Sequence, residues 1–304
     1  MRVGIVLQHC DALDFEELQH VVEGILSLER IDRAFQENRA TDLDLLLLSD
    51  IKSSFHLDNL LGKLYTTLRE ILFKRGLPLF PINVLLGNFN REETSWDELF
   101  VTDRKVVDVY RIQHTNLNIL PKIKNHDKVS PVANDPDPHT SSLADRNKYD
   151  VTALGGTFDH IHDGHKILLT VAAFITSSRL IIGLTGKELL GTKKFPELLE
   201  DYETRKGNVC KFLKLLKPQL RVEMVLLKDV CGPTGTVPEI KALVVSRETL
   251  KGGDYVNKTR REKGMHELDI SVVNVIGGEE EDGWTEKLSS TDVRRMLSEE
   301  HTHT

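Results

Sequence analysis

The chain has 304 residues, 39% hydrophobic and 29% charged, with a net charge of −7. That length allows two domains, each able to bury its own core. The acidic balance argues against a broad nucleic-acid surface, so any polyanion site has to be a local cluster of basic side chains. Cys10, Cys210 and Cys231 are too few and too scattered for a disulfide framework or a CxxC metal site, which suits a reducing compartment. No apolar run approaches the roughly 20 residues that span a bilayer, and the N-terminus lacks the marks of a signal or transit peptide. The expectation is a cytoplasmic protein, with access to the nucleus left open and no membrane or nucleic-acid partner.

In chain order, residues 3–7, 43–48, 82–86 and 106–112 read as strands, and 15–28 and 57–73 as helices. In the second helix Leu57, Leu60, Leu61, Leu64, Leu68 and Ile71 form one stripe, and Gly76 and Pro78 punctuate its end. The alternation predicts a small α/β domain over residues 1–120. It holds no phosphate loop and no catalytic constellation. His9, Cys10 and His20 read as ordinary structural residues, and the role of this half is open. Residues 121–148 are rich in Pro, Asn, Asp, Ser and Lys without apolar periodicity, which predicts a flexible linker.

Residues 149–304 alternate more clearly. Strands are predicted at 149–155, 179–185, 221–227, 242–246 and 269–276, and helices at 164–176, at 201–216 and from Ser290. Continuous apolar strands separated by helices predict a doubly wound parallel sheet. Ligands bind such sheets beyond the carboxyl ends of the strands. The chemistry is therefore expected in the loops after the first, second and fourth strands and at the start of the last helix.

The first of these loops reads Gly155-Gly156-Thr157-Phe158-Asp159-His160-Ile161-His162-Asp163-Gly164-His165. His162 and His165 are three apart at a helix start, so one turn puts them on one side. Free N–H groups and the positive end of the helix dipole make that start an anion site. Zinc would want three or four ligands, and no cysteine lies nearby to supply them; a chance histidine cluster is the other plain reading. The last helix opens with Ser289-Ser290-Thr291-Asp292, a capping sequence. Arg294, one turn inside, is positioned by sequence to reach a phosphate held at that start.

Together, His-x-Gly-His after the first strand and Ser-Ser-Thr-x-x-Arg at the last helix resemble the nucleotidyltransferase superfamily. Gly156-Thr157-Phe158-Asp159, Leu184-Thr185-Gly186-Lys187 followed by Lys193-Lys194, and the segment from Ala242 to Gly253 narrow the resemblance. They are similar to eukaryotic-type pantetheine-phosphate adenylyltransferases. The resemblance covers residues 150–299 and implies a Rossmann-like nucleotidyltransferase domain. It also implies joining of ATP to 4′-phosphopantetheine, with Mg2+ accompanying ATP and no protein-held metal. Catalytic roles carry over to His165, His162 and Lys193, with Lys187 and Lys194 as alternatives for the lysine. Substrate and ATP binding carry over to Gly156, Thr157, Phe158, Arg247, Ser289, Ser290, Thr291 and Arg294. Other enzymes of coenzyme A biosynthesis are candidate partners for the first half. His160 stands where bacterial members usually have proline, and His162 where they usually have threonine. No kinase-type phosphate loop follows Leu297, so one activity is expected.

Overall fold

A computed structural model describes residues 1–8, 10, 13–123, 144–191, 193–273 and 288–302. His9, most of the predicted linker, positions 274–276 of the predicted fifth strand and Lys287 lie outside the described residues. The chain divides into two compact units, Met1–Ile51 with Leu60–Ser142 and Lys52–Asn59 with Leu143–Thr304. None of the described helices is long and apolar enough to cross a membrane.

The first unit is built on strands β1 (Arg2–Leu7), β2 (Asp42–Leu47), β3 (Ile82–Leu86), β4 (Ser95–Val101) and β5 (Gln113–Ile119). They pair in parallel in the order β3-β2-β1-β4-β5. Helices α1 (Phe15–Leu26), α2 (Glu29–Gln36), α3 (Ser54–Lys74) and α4 (Lys105–Tyr110) connect them. The leucine stripe of α3 is buried along its whole length, and Gly76, at φ +72°, takes the left-handed turn that ends it.

The strand expected at 106–112 is helix α4, and two strands beside it were missed. Val106 and Val107 are buried, Val109 is 73% exposed, and Arg111 at φ +51° stops the helix. Three valines in so short a stretch mimic a strand. The real strands look too polar: β4 carries Glu98, which is buried and answered by Arg30, Asn116 and Asn118, and β5 is an edge strand of largely polar residues.

A polar knot crosses this sheet. The buried Asp44 carboxylate accepts from Arg2 Nε at 2.5 Å, Trp96 Nε1 at 2.8 Å and Asn83 Nδ2 at 2.8 Å. Burial still pushes its pKa above the ordinary carboxylate range. Trp96 reaches Asp44 by lying on Gly4, where an added Cβ would stand 2.6 Å from the indole. Gly4→Ala is therefore expected to destabilise the protein by about 1–3 kcal/mol through overpacking; a urea midpoint equal to that of the wild type would show that the indole gives way freely.

The second unit carries β6 (Tyr149–Gly156), β7 (Thr176–Thr185), β8 (Arg221–Leu227), β9 (Ala242–Ser246) and β10 (Asp269–Val273). They too are parallel, in the order β10-β9-β6-β7-β8. Numbered within each unit and read from the third strand, both sheets run third-second-first-fourth-fifth, the order of a dinucleotide-binding sheet. The order reverses between β6 and β9, so the crevice lies where their loops emerge. Helix α5 (Asp163–Ile175) packs on β6, β7 and β9. Its residues from Lys166 to Ile175 are all buried, which explains why all but Lys166 and Thr170 are apolar. Helices α6 (Tyr202–Leu216), α7 (Leu250–Glu262) and α8 (Ser290–Thr302) complete the unit.

Candidate active site

Between β6 and α5 the backbone is held in an unusual course. Phe158 and His160 sit at φ +51° and +44°, a region costly for residues with a Cβ. Their surroundings enforce it. Phe158 is fully buried, and Gly156 leaves it room, since an added Cβ would stand 2.9 Å from the phenyl ring. His160 N donates to Glu200 Oε2 at 2.7 Å, and His160 Nε2 lies 2.7 Å from the Leu198 carbonyl oxygen. A carbonyl only accepts, so Nε2 carries the proton.

The turn delivers His162 to the N-cap of α5, a helix start with no side-chain cap. One turn on, the His165 ring lies against that of His162, centroids 3.9 Å apart and planes tilted by 31°, with its centroid 5.1 Å from that of Phe158. His165 Nδ1 is shielded from solvent and has no hydrogen-bond partner among the described residues. Burial, then the neighbouring His162, then Lys193, hold the His165 pKa well below its ordinary value of 6.5. His165 is thus a neutral imidazole at neutral pH, and the lysine whose charge reaches it is Lys193.

A stability consequence follows. The folded pKa is depressed, so between it and 6.5 the unfolded chain binds more protons than the native one. The His165 contribution is complete above about pH 6.5 and is lost as pH falls towards the depressed value. His165→Gln should flatten that part of the stability–pH curve; identical slopes below pH 6.5 in urea titrations of both proteins would contradict the assignment.

Opposite lies the start of α8. Ser289 and Asp292 cap it reciprocally, with Ser289 Oγ donating to Asp292 Oδ2 at 2.5 Å and Asp292 N to Ser289 Oγ at 3.2 Å. Ser290 Oγ donates to the Asp159 carbonyl oxygen at 2.7 Å, which joins α8 to the histidine loop. Arg294, read from the sequence as a phosphate ligand, is held inside the protein. Its side chain is 1% exposed; Nη1 pairs with the equally buried Asp159, Nε donates to the Lys194 carbonyl oxygen at 3.0 Å and Nη2 to Thr291 Oγ1 at 3.3 Å. These three bonds fasten the site together and occupy three of the five N–H donors of the guanidinium.

The loop from β7 to α6 carries Lys193 and Lys194, both exposed. It is tied down beyond them: Asp159 Oδ1 accepts from Glu200 N at 2.8 Å, and Glu200 Oε1 accepts from Asn208 Nδ2 at 3.1 Å. Arg247 is exposed in the turn that follows β9, where Ser246 and Thr249 cap each other's ends. The structure thus brings together Gly156, Thr157, Phe158, His162, His165, Lys193, Ser290, Thr291 and Arg294, while Ser289 and Arg247 are exposed, Arg247 in the turn after β9. Sequence reasoning missed Asp159, Glu200 and Arg205. For Arg205 a signal existed: it stands on the α6 stripe of Val209, Phe212 and Leu216, an apolar position given to an arginine.

Two imidazoles at a helix start, beyond the carboxyl end of a strand in a doubly wound parallel sheet, suit an anionic ligand such as a nucleotide phosphate. Comparison with known proteins agrees. The family described as cytidylyltransferase-like matches residues 153–296. Phosphopantetheine adenylyltransferase of Saccharomyces cerevisiae is 48% identical over 261 residues, covering 84% of this chain and 83% of that protein. The phosphopantetheine adenylyltransferase of Pyrococcus furiosus is 38% identical over 131 residues, 43% of this chain and 81% of that one; that of Thermococcus kodakarensis is 36% identical over the same length. The chain belongs to the phosphopantetheine adenylyltransferase family.

Proposed function

We propose that the chain transfers the adenylyl group of ATP to 4′-phosphopantetheine, releasing pyrophosphate and forming dephospho-coenzyme A. The observation that carries this reading is the adjacent pair His162 and His165 at the uncapped start of α5, within reach of the Lys193 charge. The acceptor's own phosphate, with a second pKa of ~6, is the nucleophile. One of its oxygens bonds to the α-phosphorus of ATP as the bond from that phosphorus to the β-bridging oxygen breaks. No side chain has to be deprotonated first. The protein's share is alignment and charge stabilisation.

Each group then has a task. The Thr157 hydroxyl and the backbone at Phe158 receive the acceptor phosphate. The α5 start, with His162 and His165, receives the ATP phosphates, and His165 donates to the α-phosphate as it becomes pentacoordinate. Lys193 neutralises charge where attacking and leaving groups meet. At the α8 start the backbone N–H groups of Ser290 and Thr291 take the β- and γ-phosphates, since the Ser289 and Ser290 hydroxyls already donate within the protein; Arg294 keeps that start in place through Asp159, and Arg247 closes the edge of the site. Magnesium arrives as the ATP complex, held by phosphate oxygens and water. The donor set fits this, because the Asp159 carboxylate is already taken by Arg294. The cytoplasm is the compartment we assign, and other coenzyme A enzymes are the partners we assign to the first unit.

Pyrophosphate release by the purified chain, with ATP or CTP against 4′-phosphopantetheine, nicotinamide mononucleotide and phosphocholine, tests the reading. Release only with ATP and 4′-phosphopantetheine is expected. Release with another pair would overturn the substrate, and silence with every pair would overturn the activity.

A further inference from the structure

Arg205 is one of the largest fully buried side chains described, 2% exposed, yet among the described residues no carboxylate is hydrogen-bonded to its guanidinium. Its three acceptors are backbone carbonyl oxygens from three places. Nη1 donates to Thr157 at 2.7 Å, Nη2 to Thr185 at 3.1 Å and Nε to Glu200 at 3.1 Å. Thr185 is the last residue of β7 and Glu200 stands just before α6, so one planar fork grips both ends of the loop that carries Lys193. The third arm of that fork holds the loop after β6 at Thr157. One side chain thus bridges both ends of the loop that carries Lys193 and the loop after β6.

Neighbouring bonds repeat the pattern. Asp159 accepts from Glu200 N, His160 N donates to the Glu200 carboxylate, and Arg294 donates to the Lys194 carbonyl oxygen. All of them cross between the histidine loop or α8 and the lysine loop. Arg205 differs in holding both ends of the lysine loop at once. Lysine would not substitute for it: an ammonium is a point charge on a flexible stem, whereas the guanidinium presents its donors in a fixed plane.

We propose that Arg205 is a positioning residue for adenylyl transfer, locking the acceptor-phosphate loop and the Lys193 loop into the arrangement that the reaction needs. This rests on the functional reading above. It predicts a particular kinetic signature, because misplacing catalytic groups by about 1 Å costs on the order of 10²-fold in rate.

Arg260 supplies the control. It is 1% exposed and likewise bonds three carbonyl oxygens, those of His266, Thr234 and Val237, none of them in the loops after β6 or β7. Arg205→Lys and Arg260→Lys would be compared with the wild type for thermal unfolding, kcat and KM in the pyrophosphate assay, using whichever nucleotide and acceptor the wild type accepts. Both variants should lose thermal stability. Only Arg205→Lys should lose turnover, by about 10²-fold, with KM for ATP changed far less. Wild-type kcat in Arg205→Lys, or losses of kcat in the two variants that simply track their melting temperatures, would overturn the proposal and leave Arg205 a structural arginine. A wild type active with a different substrate pair would overturn the substrate reading alone, since the two variants would still be compared with that pair. A wild type inert with every pair would overturn the functional reading and this inference with it.

Discussion

Replacing His165 by alanine is expected to lower kcat by about 10²–10³-fold, the usual cost of removing one donor aimed at developing transition-state charge. The ring is well placed for that task. It stands one turn into α5, clamped between the His162 and Phe158 rings, and burial keeps it neutral. A neutral imidazole donates from one nitrogen and needs no change of charge to meet the α-phosphate. The distinguishing measurement is the split between kcat and KM. A donor engaged only when phosphorus is pentacoordinate lowers kcat and kcat/KM together and leaves ATP binding nearly unchanged. His165→Asn, which keeps a side-chain donor but shortens its reach, should fall in between. Wild-type turnover in His165→Ala, or a defect confined to KM, would remove His165 from the transition state and leave it a ground-state contact.

The sequence disclosed this residue because its chemistry is local. His162 and His165 lie three apart after a glycine-bearing strand end, and α5 begins between them, as helical spacing requires. Strand boundaries in the second unit were equally legible: β8 and β9 fall on the expected residues, since short apolar runs between turn signals leave little choice. The first unit was harder. Short helix α4 is valine-rich, and strands β4 and β5 carry polar residues whose partners lie on a neighbouring strand or helix distant in sequence, so local periodicity misleads there. That this unit repeats the strand order of the second was invisible for the same reason: order is a property of pairing, and the two units share no motif that advertises it. At Arg294 the sequence could not show the buried carboxylate that its guanidinium meets, because Asp159 lies 135 residues away.

The pair formed by Arg294 and Asp159 carries the second large prediction. Asp159→Asn should destabilise the protein by about 3–5 kcal/mol, because removing one partner leaves a buried charge uncompensated. Both side chains are essentially inaccessible, so water cannot take the missing place. The change is nearly isosteric and retains an acceptor for Glu200 N, which confines the loss to the ion pair and its charge-assisted bonds. Arg294 also holds the Lys194 carbonyl oxygen and Thr291, and the Asp159 carbonyl oxygen takes the Ser290 hydroxyl. Stability and turnover should therefore fall together, unlike the separation expected for His165→Ala. A double-mutant cycle settles the origin. If the cost is the unpaired charge, Asp159→Asn combined with Arg294→Met recovers much of the stability lost in Asp159→Asn, since a buried pair replaced by apolar groups is often near neutral, while turnover stays low because the α8 start is no longer tied to the lysine loop. Equal instability in the single and double variants would place the cost in packing around Asp159 instead, and a urea-derived loss below about 1 kcal/mol for Asp159→Asn would mean that the pair is worth no more than an exposed one.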